Sequence, residues 1–88
     1  MNAARRKQIE EVKARIEALT ALRDELVEAI NTISEDEQNY LDNMPDSFRD
    51  GDKGDKAQEA IDALSEATTA LEEIDFDAVI GHLEAAAQ

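Results

Sequence analysis

The feature that most constrains this chain is an unbroken apolar rhythm near its start. Ile9, Val12, Ile16, Leu19, Leu26, Ile30, Ile33 and Tyr40 follow one another at steps of 3, 4, 3, 7, 4, 3 and 7, and no Gly or Pro occurs before Pro45. Alternation of three and four marks a helix with one apolar side, because 3.6 residues complete a turn. In heptad letters, a falls at residues 9, 16, 23, 30 and 37 and d at 12, 19, 26, 33 and 40, with Arg23 and Glu37 as polar a residues. Leu22 and Val27 flank this seam and widen it, which suits packing against more than one helix. A helix over about residues 4–43 spans ~60 Å at 1.5 Å per residue. Ser34-Glu35-Asp36-Glu37 has the form of a capping box. Ile33 and Tyr40 nevertheless keep step across it, which predicts one continuous helix.

Met44-Pro45-Asp46-Ser47 ends that helix, since the residue before a proline avoids the α region. The loop predicted at about 44–54 is rich in Asp and holds two glycines, with Tyr40, Leu41, Met44 and Phe48 expected to cluster beneath it. A second helix is expected over about 55–74, beginning between Asp52 and Lys56, where Asp55 can cap it with Gln58 three residues on. Its buried stripe reads Ala57, Ala60, Ile61, Leu64, Ala67, Thr68, Leu71 and Ile74. The register then breaks at Ile74-Asp75-Phe76-Asp77, where Asp75 can cap a short helix over about 76–86, with Ile74 stapled to Val79. These two helices sum to ~46 Å, enough to run back along the first. The fold expected is therefore all-α, a single-domain antiparallel helical hairpin with a long N-terminal helix and a kinked return arm.

Composition agrees. Among 88 residues there are fifteen alanines and only three aromatics, Tyr40, Phe48 and Phe76, so strand formers are scarce and helix formers abound. Without cysteine there is no disulfide framework and no cysteine–zinc site, and one histidine, His82, builds no multi-histidine metal site. No run approaches the ~18 apolar residues of a membrane span. A soluble protein of the cytoplasm is expected, with no membrane partner. A chain this small buries only roughly 60–65% of its unfolded surface, and a hairpin less, so a further segment or self-association is expected. Charge is uneven. The net charge is −13, yet residues 1–23 carry six bases and three acids, while the remainder carries three bases and nineteen acids.

Asp50-Gly51-Asp52-Lys53-Gly54-Asp55 suggests calcium, but an EF-hand count from Asp50 puts Gly54 at position 5, Asp55 at 6 and Ile61 at 12, and three requirements fail. The stretch reads as a solvated acidic turn. Gly51 and Gly54 lack the Gly-Lys-Ser/Thr of a phosphate loop. His82 sits near a helix C-terminus, which favours its cation. With no nucleophile, oxyanion device or pocket in prospect, no enzyme activity, catalytic residue, metal or cofactor is expected. The head, Arg5-Arg6-Lys7 with Lys13 and Arg15, is interleaved with acids, and Glu11–Arg15 is a favourable i,i+4 pair. Direct nucleic-acid binding is not expected of so acidic a chain. The head suits an acidic partner surface, such as the body of a second copy.

The acids are patterned. Asp55, Glu59, Asp62, Glu66 and Glu73 recur at 4, 3, 4 and 7, on the side opposite the apolar stripe of the second helix. Glu28, Glu35 and Asp42 repeat every seven residues along the first, with Asp24 nearby. Such rows are often only solvated faces, but they also suit a basic binding groove.

The stretch Asp36-Glu37-Gln38-Asn39-Tyr40-Leu41-Asp42-Asn43-Met44-Pro45-Asp46-Ser47, followed by Lys53-Gly54-Asp55-Lys56-Ala57, resembles a family of small acidic phage and prophage proteins. The Asp-Asn-Met-Pro turn is its most specific part, and the resemblance covers roughly residues 15–75. It implies phage origin and residence in a bacterial host cell, and small acidic phage proteins often act as DNA mimics. The function expected is therefore that of a non-catalytic inhibitor. It would block a basic nucleic-acid-binding site of a host protein, as anti-CRISPR or anti-restriction proteins do, through Asp55, Glu59, Asp62, Glu66 and Glu73 supported by Glu28, Glu35 and Asp42. The alternative is a structural or assembly protein acting through coiled-coil self-association. A homodimer is expected in either case, along the seam of Ile9, Val12, Ile16, Leu19, Leu26, Ile30 and Ile33.

Overall fold

In the computed structural model, which describes residues 1–88, the chain is entirely helical. The elements are α1 (Ala3–Asp42), α2 (Asp46–Arg49), α3 (Asp52–Glu72) and α4 (Phe76–Ala86). Helix α1 runs unbroken through Ser34, which is half-buried inside it. At its start Asn2 accepts the Arg5 N–H at 2.8 Å, satisfying one of the four free donors of a helix end. Pro45 then stops the chain and opens α2, a single turn absent from the sequence expectation.

Helix α3 begins at Asp52, the early limit of the expected start, and Asp55 lies inside it and does not cap it. Gly51 is its N-cap residue and offers no side-chain cap, so Asp52 and Asp55 act through their charge at the positive end of the helix. A Cβ on Gly54 would overlap the backbone of Arg49, so α3 starts against the end of α2 with no room for a side chain there. The core beneath this turn is Leu41, Met44 and Ala57, with Ile61 packed on it. Tyr40 and Phe48 lie outside that core, about half exposed. The reason is register: Leu41 and Met44 continue the inward stripe of α1, and Tyr40 falls beside it.

At the far end of α3 the side chain of Asp75 accepts the Ala78 N–H at 2.9 Å and caps α4, as its position suggested. Helices α3 and α4 return along α1 to its beginning, where the Met1 amino group reaches the Gln88 carbonyl at 3.4 Å. The product is an antiparallel helical hairpin with a kinked return arm. It is a thin rod, 68 × 15 × 12 Å between Cα extremes. Its radius of gyration is 20.4 Å, against ~12 Å for a compact chain of this length. Only five residues are buried, and no large side chain is fully so.

Candidate functional site

The side chains that face inward define every other surface. On α1 the row is Ile9, Lys13, Ile16, Thr20, Arg23, Val27, Ile30, Ser34, Glu37 and Leu41, each half-buried or better. On α3 it is Ala57, Ile61, Leu64, Thr68 and Leu71, continued on α4 by Phe76, Ile80 and Leu83. In heptad terms α1 packs on its return arm through a and e. The sequence seam therefore divides. Ile9, Ile16 and Ile30 turn inward, while Val12, Leu19, Leu26 and Ile33 remain 44–55% exposed.

The acidic rows lie behind the inward rows. Glu28, Glu35 and Asp42 on α1 and Asp55, Glu59, Asp62, Glu66 and Glu73 at α3 are all exposed. Residues half a turn from the inward row point away from the partner helix. The two rows therefore sit on opposite flanks, separated by the width of the hairpin, and do not merge into one surface. None of the eight forms an ion pair; the pairs present are Lys13 with Glu10 and Glu84, Arg23 with Asp24, and Arg49 with Asp46. Two carboxylates instead accept from glutamines one turn earlier, Asp42 from Gln38 at 2.9 Å and Asp62 from Gln58 at 3.0 Å.

Four of the nine bases, Arg6, Lys13, Arg23 and Arg49, hold the hairpin closed. None of the three long helices has a basic residue in its last turn, and each receives an arginine from another element. Arg49 of α2 donates to the Asp42 and Met44 carbonyls at the end of α1, at 3.1 and 3.2 Å. Arg23 of α1 donates to the Leu71 carbonyl at the end of α3 at 3.1 Å and lies over the Phe76 ring, 5.3 Å from its centre. Arg6 of α1 donates to the Ala87 carbonyl at the end of α4 at 3.0 Å. A guanidinium is well suited to these ends, because the last carbonyls of a helix are unpaired and carry its negative pole. The signal in the sequence is indirect: helices that end without bases, and an arginine at an a position opposite the kink. Lys13 bridges to Glu84 at 3.2 Å, and this contact, with help from Glu10, raises its pKa above the ordinary lysine value. Two residues of the basic head, Arg6 and Lys13, thus clamp the return arm. Arg15 forms no ion pair, with Glu11 or any other acid.

A third surface is apolar. Val12, Leu19, Leu22, Leu26, Ile33 and Tyr40 line one side of α1, next to the inward row. In an antiparallel pair the matching side of α3 carries Ala60, Ala63, Ala67, Ala70 and Ile74, all exposed. Ala60, Ala67 and Ile74, which the sequence grouped with the buried stripe, belong here. The two sides meet in a mostly apolar groove of about 350 Å³ lined by Leu19, Leu22, Leu26, Leu71, Ile74 and Phe76 together with Arg23. The opposite face of the hairpin is polar, with Glu10, Glu17, Asp24, Asn31 and Gln38 on α1 and Gln58, Ser65 and Glu72 on α3.

No three His, Cys, Asp or Glu side chains converge as a metal site. No helix is long and apolar enough to cross a membrane. His82 is exposed on α4. The chain matches no family model, no curated protein and no solved structure.

Proposed function

We propose that this chain is a non-catalytic binding protein whose acidic flank occupies a basic, nucleic-acid-binding groove on another protein. The observation that carries the reading is the row Asp55, Glu59, Asp62, Glu66 and Glu73: five exposed carboxylates along α3, none with a cationic partner. Over the ~27 Å from Asp55 to Glu73 this is one charge per ~7 Å of helix, about half the density of one DNA strand at ~3.4 Å per phosphate. A rigid helix presents these charges without ordering a flexible chain first, which lowers the cost of binding. Crowding like charges costs stability, and a cationic partner relieves that repulsion. Glu28, Glu35 and Asp42 form a second row on the other flank, available to a groove that closes around the rod. The resemblance to small acidic phage proteins supports a host protein as target, in the manner of inhibitors of restriction or CRISPR nucleases.

Affinity capture from a bacterial lysate, eluted stepwise with salt, tests the proposal. A nucleic-acid-binding protein leaving at moderate salt is expected, since exposed charges are screened within ~8–10 Å at physiological ionic strength. The double variant Asp62→Lys, Glu66→Lys should lose that protein while keeping its helicity by circular dichroism. Undiminished capture by the double variant would overturn the assignment.

A further inference from the structure

We infer that two copies of this chain associate through the apolar face, antiparallel, about a two-fold axis at Leu26. The inference is independent of any partner for the acidic flanks.

The first argument is area. The chain exposes 6466 Å², whereas a compact chain of 9.7 kDa exposes ~5,100 Å². The surplus, about 1,300 Å², exceeds the ~800 Å² that each partner gives to a standard interface. The exposed large side chains concentrate on one side of α1: Val12, Leu19, Leu22, Leu26, Ile33 and Tyr40. The facing side of α3 from Ala60 to Ile74 is alanine and isoleucine without a charge. In a chain with 22 acids, α3 places none on that side between Lys56 and Asp75, and α1 places only Asp36 at its edge. A face kept clear of charge in this way suits burial.

The second argument is symmetry of sequence about one residue. Val12 and Tyr40 each lie fourteen residues from Leu26, and Leu19 and Ile33 each lie seven. When a second α1 is laid antiparallel across the first with the two Leu26 side chains together, Leu19 meets Ile33 and Val12 meets Tyr40. Every large residue of the row then has an apolar counterpart, which is what a two-fold interface requires of a single patch. Leu22 falls near Ala29, a large residue against a small one.

The third argument is charge. Arg15 and Asp36 occupy the same edge of this face, both exposed and neither ion-paired within the chain. They lie eleven and ten residues from Leu26 on opposite sides. The antiparallel register sets Arg15 of one copy beside Asp36 of the other, twice per dimer. It also lays each basic head over the acidic loop end of its neighbour. A parallel arrangement would place loop end on loop end, with Asp42, Asp46, Asp50, Asp52 and Asp55 of the two copies together, and like charges so placed oppose association. Along α3 the alanines allow the second α3 to approach closely, and the assembly becomes a four-helix rod.

Sedimentation equilibrium on the full chain is expected to give twice the 9.7 kDa chain mass. Leu26→Asp should give the single mass with helicity retained, because Leu26 is 46% exposed and lies outside the buried core of the chain. Arg15→Glu should weaken association by about tenfold or more, and Arg15→Glu combined with Asp36→Arg should restore it. Register is read by oxidation, since the chain has no cysteine of its own. Leu26→Cys should link to itself, and Leu19→Cys should link to Ile33→Cys in a mixture but not to itself. A monomeric full chain, or a dimer indifferent to Leu26→Asp, would overturn the interface. Self-linking of Leu19→Cys and of Ile33→Cys separately would overturn the antiparallel register.

Discussion

Gly54 shows how a single position serves the turn of this hairpin. Its φ is not positive, so the glycine is not there for an unusual backbone conformation. It is there because any Cβ would overlap the Arg49 carbonyl. Gly54→Ala should therefore push α3 away from α2 and disturb the Leu41–Met44–Ala57 core, at a cost of ~1–3 kcal/mol typical of overpacking. A lowered urea midpoint with an unchanged slope is the expected observation, and an unchanged midpoint would show that the turn has slack. In the sequence this residue reads only as one more loop glycine, because close approach is a property of two segments. The arginines teach the same lesson. Arg23 reads as a polar gap in an apolar seam. In the fold it closes the end of α3, stacks on Phe76 and fixes the kink from across the hairpin.

Among the elements, α4 depends most on contacts from outside. It has 11 residues, short of the ~12–15 at which an isolated helix becomes even marginally stable, and Gly81 lies within it. Besides the inward packing of Phe76, Ile80 and Leu83, three polar contacts secure it: the Asp75 cap, the Lys13–Glu84 bridge and the Arg6 bond to the Ala87 carbonyl. Asp75→Ala should cost ~1 kcal/mol, the usual loss for an N-cap. Amide exchange should quicken through Phe76–Ala86 and stay unchanged in the middle of α1. Uniform quickening would mean that the arm and the hairpin unfold as one unit. The Asp75 cap was legible in the sequence because capping is local chemistry within three residues. The choice between the two rows flanking a was not, because a with d and a with e share the same three–four rhythm. Only the position of α3 decided that e turns inward and d outward.

For the whole molecule, charge sets the response to conditions. With 22 acids and 9 bases in a narrow rod, like-charge repulsion outweighs the four ion pairs, which are mostly exposed. Raising salt from about 0.01 to 0.1 M shortens the screening length from ~30 to ~10 Å, so the melting temperature should rise with salt. A fall would show that the clamping pairs of Lys13 and the arginines matter more than the repulsion. The sequence by itself determined the helices, their order, the stop at Pro45 and the kink at Asp75, because propensity, periodicity and capping act over a few residues. It also determined that Asp55, Glu59, Asp62, Glu66 and Glu73 share one side of their helix, and Glu28, Glu35 and Asp42 one side of theirs. What the tertiary structure decided is how those sides relate. It placed the two acidic rows on opposite flanks, assigned Arg6 and Arg23 to helix ends distant in sequence, and left the d row of α1 beside the alanines of α3. Each of these depends on how one helix is rotated and shifted against another, and that is set by long-range packing that no local pattern encodes.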